Sequence, residues 1–262
     1  MRALIKPMMQ PHRLFLLAMG IAIVAWAILT LDWSWLPTYL DNGLLLKGLW
    51  TTTYMLVLSW AMGLFLAIWL GLAQAAGPWY VALPAKGFCS VIRGTPLLLQ
   101  LWFLYYGLGS LFPQFPWIRE SWAWAYLREA WPYGLFALTM SFAGYEGEVM
   151  RGALLGVPKG QLEAARAYGM PRLTILRRIW LPQAIRRVLP TLGGETVLQL
   201  KSTPLIATIT VLDLYQVSLQ IRQDTFIIYE PLLLLAVLYM FYTGLIVLAF
   251  RFIERQVPAK LG

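Results

Sequence analysis

The sequence predicts an all-α fold: a polytopic membrane helix bundle of about six transmembrane helices with a long helical loop on one side. Three observations predict it. Apolar residues make up 60% of the 262 positions and charged residues only 13%, about half the charged share of soluble domains. Apolar runs long enough to cross ~30 Å of hydrocarbon at ~1.5 Å per residue recur along the chain. The chain also holds 13 Trp and 13 Tyr, residues that favour the membrane interface, whereas charge is costly within lipid.

The runs fall in order at residues 14–31, 49–73, 96–112, 132–155, 188–205 and 229–250. The third is preceded by a shorter apolar stretch, 79–92, and the fifth carries Pro190, Glu195 and Lys201. Residues 1–13 are basic and precede an apolar run, as in a signal peptide. The run is 18 residues long and leads into Asp32-Trp33-Ser34-Trp35 rather than a small-x-small cleavage site, so a retained membrane helix is expected. Gly94-Thr95-Pro96 reads as a break between two helix halves. Three segments result: 1–48 with an extra transmembrane helix, a transmembrane core at 49–255, and a tail at 256–262.

The net charge is +9, and its distribution points to orientation in a bilayer rather than to nucleic acid. With the N-terminus inside, the inner segments hold Arg2, Lys6, Arg13, Lys86 and Arg93, all eight basic residues from Arg151 to Arg187, and Arg251, Arg255 and Lys260. Only Lys47, Arg119, Arg128, Lys201 and Arg222 lie elsewhere. Both termini are therefore expected in the cytoplasm. Trp33, Trp35, Trp117, Trp122, Trp124 and Trp131 are expected at the outer headgroup level. One Cys (Cys89) and one His (His12) exclude a disulfide framework or a Cys/His metal site within this chain. Cys89 reads as a small packing residue.

The inner loop, residues 151–187, has helix grammar. Pro158-Lys159-Gly160 starts a turn, and Gln161 to Tyr168 are good helix formers. Glu163 and Arg166 are three apart and can pair on one face. Gly169 sits where a left-handed residue ends a helix, and Pro171 can open the next. Leu173, Leu176 and Trp180 recur at helical spacing, and Pro182 ends or bends that helix. Two short helices and a sharp corner make a rigid knob. From composition alone it fits either an amphipathic element on anionic lipid or a docking element.

Motifs decide between them. Gly160-Gln161-Leu162-Glu163-Ala164-Ala165-Arg166-Ala167-Tyr168-Gly169-Met170, followed by Ile179-Trp180-Leu181-Pro182, resembles the EAA signature of ABC importer permeases. Glu148-Val149-Met150-Arg151-Gly152-Ala153 and Arg93-Gly94-Thr95-Pro96 with the apolar run after it resemble the polar amino acid branch, with histidine/lysine/arginine and opine permeases nearest. The resemblance covers about 49–255. It implies that Gly160, Glu163, Ala164, Ala165, Arg166, Tyr168, Gly169 and Met170 dock an ABC ATPase dimer carrying ATP and Mg. It also implies a second, homologous permease subunit in a heterodimer, a periplasmic or extracellular solute-binding protein, and residence in the bacterial inner membrane. Two departures stand out: that branch usually has five spans, and Pro204 replaces a small residue, which implies altered helix geometry there.

The chain lacks a Gly-x-x-x-x-Gly-Lys-Ser/Thr phosphate loop, so it is expected to bind no cofactor and to draw energy from another polypeptide. Ionisable residues within spans are candidates for the substrate path: Glu195, Glu146, Glu148 and Lys201, with Gln100 and Thr95 at the broken helix. Glu146 and Glu148 lie about 200° apart around a helix and cannot both face one cavity. Glu148 can pair with Arg151, and Glu195 either contacts a cationic or zwitterionic substrate or pairs within the protein, for example with Lys201. Thr95 lines the path or caps the helix after it. Glu163 either meets a basic group of the ATPase or caps its own fold. A stand-alone carrier or channel is the competing class, and a membrane-embedded enzyme would need a catalytic constellation not found here.

Overall fold

The computed structural model describes residues 29–256 and, ahead of them, Phe15, Met19, Gly20 and Ala25. Most of the expected first span, the basic residues before it and the final six residues lie outside the described residues. No strand occurs among those described.

The principal helices are α1 (Leu36–Asp41), α2 (Leu44–Ala76), α3 (Trp79–Gly94), α4 (Leu97–Trp102), α5 (Trp131–Leu155), α6 (Lys159–Ala167), α7 (Arg172–Ile175), α8 (Leu181–Ser202), α9 (Leu214–Thr225) and α10 (Tyr229–Gln256). Helix α4 runs on through a π turn, Phe103–Leu108, and short helices at Pro116–Arg119 and Trp124–Leu127 follow.

The count of six spans is approximate. Among the described residues two helices, α2 and α10, are by themselves long and apolar enough to cross a bilayer. Helices α3 and α4 form a pair bent by 104°, and the run Arg172–Ile209 is bent by 50° against α9. Helix α5 is not apolar all round because it is the centre of the bundle. Ala137, Leu138, Phe142, Ala143, Met150 and Leu154 are buried along it, with α2, α3 and α8 packed around it. A helix shielded by protein can carry Glu146 and Glu148; one facing lipid cannot do so cheaply. Helix α10 is the converse, with only Pro231 buried, and Val237, Met240, Phe241, Leu245 and Leu248 exposed as a lipid-facing helix requires.

Small residues set the spacing of α2 and α5. Ser59, Gly63, Ala67 and Gly71 recur every fourth position on α2, all buried and on one face. A Cβ on Gly63 would stand 2.9 Å from Phe142 Cδ1 and 3.0 Å from the Thr139 carbonyl oxygen. On Gly71 it would stand 2.7 Å from Met150 Cγ and 3.0 Å from the Arg151 nitrogen. The two backbones approach as only such residues allow, the small-residue packing typical of membrane helices.

Several sequence expectations change. Of the two outcomes open at Pro182, an end or a bend into the fifth span, the helix does not end: α7, a π turn at Leu176–Trp180 and α8 form one continuous run. Pro182 lies in the first turn of α8, directly after the π turn. Pro204 does change the geometry, opening a 3-10 turn, Thr203–Ile209, that ends at Thr210 with φ 69°. Trp35 is not an interface anchor. It is buried with Tyr39, Leu45, Val217 and Ile221, where α1 packs on α9 and Tyr39 donates a 2.9 Å hydrogen bond to Asp224 Oδ2. Trp117 and Trp122 are exposed, as interface residues should be. Cys89 is fully buried against Gly147.

Candidate functional site

The loop corner is built by α6 and Gly169. The amide of Gly169 donates to the Arg166 carbonyl at 2.9 Å and that of Met170 to the Ala165 carbonyl at 3.1 Å. This pair of bonds closes a helix over a left-handed residue, and Gly169 has φ 73°. Pro171 then caps α7 from outside rather than opening it.

The corner is held to the bundle. Trp180 Nε1 donates to the Leu154 carbonyl at 2.8 Å, and Gln183 Nε2 to Gln161 Oε1 at 2.6 Å. Beneath it Met150, Leu154, Val157, Ala184 and Val188 form a core to which Leu162 and Trp180 are added. Ala165 is buried by this packing, whereas Glu163, Ala164 and Tyr168 face outward, Tyr168 with 88% of its surface exposed. Among the described residues no ion pair joins Glu163 to Arg166 and no side chain caps α6, so the outward Glu163 carboxylate is free for a partner.

A second feature lies within the bundle. A cleft of about 350 Å³ is lined by Thr95 and Pro96 at the helix break, by Ser141 and Tyr145 of α5, and by Glu195, Gln199 and Lys201 of α8. Glu195 and Lys201 share its wall without forming an ion pair among the described residues. Of the six residues singled out for the path, the structure brings Thr95, Glu195 and Lys201 together and puts the other three elsewhere. Glu148 is paired with Arg151 at 3.0 Å, and the Arg93 guanidinium lies 3.9 Å from the same oxygen. Glu146 is 1% exposed inside α5. Gln100 supports the break: its Nε2 donates to the Ile92 carbonyl at 2.9 Å, the Thr95 carbonyl at 3.1 Å and Thr95 Oγ1 at 2.8 Å. Thr95 itself donates back to the Val91 carbonyl at 2.9 Å, so its hydroxyl ends α3 and does not cap α4.

Sequence reasoning missed Gln199. Its Nε2 donates to Ser59 Oγ at 2.9 Å and to the Leu138 carbonyl at 3.1 Å, joining α8 to α2 and α5 directly behind the cleft. A polar residue four after Glu195 on the same face was the available signal.

Residues 63–259 match the family described as binding-protein-dependent transport system inner membrane component. The chain belongs to this family. It is 43% identical over 182 residues to the octopine transport system permease protein OccM of Rhizobium meliloti, covering 70% of this chain and 73% of that one. It is 33% identical over 224 residues to the histidine/lysine/arginine/ornithine permease HisM of Escherichia coli K12, covering 85% and 92%. The crystal structure of an amino acid ABC transporter with histidines superposes with a TM-score of 0.72 at 28% identity, over 87% of this chain and all of that chain. The inward-facing methionine transporter MetNI shares the fold, with a TM-score of 0.64 at 20% identity.

The chain is thus a membrane-embedded permease subunit of an ABC importer. Such a permease is not a catalyst; ATPase activity belongs to a partner, and a substrate-binding protein completes the importer.

Proposed function

We propose that this permease moves polar, basic amino acids or opine-like derivatives across the bacterial inner membrane, with both termini in the cytoplasm. The observation that carries this reading is the cleft wall on which Glu195 and Lys201 stand unpaired. A carboxylate suits the cationic end of such a solute and an ammonium its carboxylate. The octopine, nopaline and histidine/lysine/arginine/ornithine relatives support the same substrate class. The functional core is residues 49–255, with the added segment 1–48 ahead of it and the tail 256–262 behind.

The energy comes from a dimeric ATPase using ATP and Mg, docked on Gly160, Glu163, Ala164, Ala165, Arg166, Tyr168, Gly169 and Met170, with Ala165 packed beneath the exposed face. A homologous permease completes a heterodimer, and a periplasmic solute-binding protein delivers the substrate. The corner is suited to transmit force because it is pinned at Trp180 and Gln183 rather than tethered by a flexible linker.

The test is reconstitution of the permease with and without its co-encoded ATPase. Hydrolysis stimulated by the loaded binding protein, and uptake of arginine or octopine only in the complete complex, are the expected results. Uptake by this chain alone would instead establish a stand-alone carrier.

A further inference from the structure

A second and larger cavity, about 790 Å³, lies between the end of α2 and the loop corner. Its walls divide by chemistry. Trp69 and Leu72 of α2 and Leu176 and Trp180 of the π turn form the apolar side, and Arg166 and Arg172 form the polar side. No Asp or Glu lines it, and neither arginine has an ion pair among the described residues. Glu163, the one acidic residue between positions 152 and 194, lines an adjoining cleft of about 270 Å³ that shares Leu162, Arg166 and Trp180 with this cavity. The Trp180 indole N–H is already satisfied by Leu154, so that ring offers the cavity a wall and no donor.

We propose that this cavity binds an anionic phospholipid. Its phosphate is held between Arg166 and Arg172, and an acyl chain lies along Trp69 and Leu72. Guanidinium groups pair bidentately with phosphate oxygens. Basic pockets between membrane helices on the cytoplasmic side suit such headgroups. Depth selects lipid over a protein partner. Leu72 and Trp69 lie ~6 and ~10 Å back from the α2 end at Ala76, at ~1.5 Å per residue, on a helix that spans the bilayer. On a helix ~50 Å long crossing ~30 Å of hydrocarbon, that is the level of the headgroups, where a lipid reaches both the arginines and the apolar wall. Arg166 stands four residues after Leu162, which also lines the cavity, so this side of α6 serves the membrane while Ala164 and Tyr168 face outward.

The experiment uses the complete transporter, purified in detergent and incubated with phosphatidylglycerol or phosphatidylcholine of the same chains. Retained lipid is counted by native mass spectrometry. Phosphatidylglycerol is expected to be retained about tenfold or more over phosphatidylcholine, the scale of two arginine contacts with an anionic lipid. Arg172→Gln should abolish that preference and Arg172→Lys should keep most of it. Millimolar glycerol phosphate should fail to displace the lipid. Equal retention of the two lipids by the wild-type complex overturns the proposal without any variant. Undiminished preference in Arg172→Gln overturns it too, since the lipid then sits elsewhere. Ready displacement by glycerol phosphate refutes the apolar half and leaves a simple phosphate site.

Discussion

Substituting Gly169 isolates backbone conformation from packing. A Cβ at this position would meet no atom of this chain within 4 Å. Within the chain the constraint is the φ of 73°. An L-residue held in the left-handed region costs about 1–2 kcal/mol, a β-branched one more, and Asn pays least because it tolerates that region. The alternative is to relax the corner and lose the Gly169 and Met170 amide bonds, at about 0.5–1.5 kcal/mol each. Either route puts about 1–3 kcal/mol on the docking element, enough to shift an assembly equilibrium about 5- to 150-fold. Gly169→Asn, →Ala and →Val should therefore weaken copurification of the ATPase and ATP-driven uptake in that rising order. Membrane insertion and the yield of the permease itself should not change. Uptake by the Val variant equal to wild type would refute the reasoning, and so would an Asn variant as damaged as Val.

Gly71→Ala should lower the thermal midpoint of the purified complex by an overpacking cost of about 1–3 kcal/mol, because its methyl meets Met150 and the Arg151 backbone. Gly152→Ala, with open space around it, is the control and should not destabilise. Gln199→Leu should cost about 1–3 kcal/mol in the same melt, since it strips a buried Ser59 hydroxyl and the Leu138 carbonyl of their donor. Gln100→Leu should loosen the α3–α4 break, raising protease or hydrogen-exchange access around Thr95 while α2 stays protected. Glu195→Gln should raise the concentration of cationic substrate needed for half-maximal uptake; an unchanged value removes Glu195 from the path.

Much of this was legible because some residues answer to local rules. Gly169 declared its left-handed turn, and Gly94-Thr95-Pro96 its break, since backbone conformation there follows from neighbours in sequence. Glu148 and Arg151 declared their pairing by spacing. What stayed hidden depends on distant packing. Trp35 reads like any interfacial tryptophan until α9 is laid against it. The role of Gln100 rests on where the chain bends, and a carboxamide gives no hint of which carbonyls it will find. Pro182 left two readings open, an end or a bend, and only the packed structure chooses continuation. The π turn at Leu176–Trp180 runs directly into α8 with Pro182 in its first turn.

That unbroken helix carries a mechanical consequence. Arg172 at the corner and Glu195 in the cleft lie on the same rod, ~35 Å apart at ~1.5 Å per residue. Tilting such a rod by about 10° about its corner end carries the far side chain through ~6 Å, about one helical turn. A small rotation at the corner becomes a displacement the size of an amino acid at the other end.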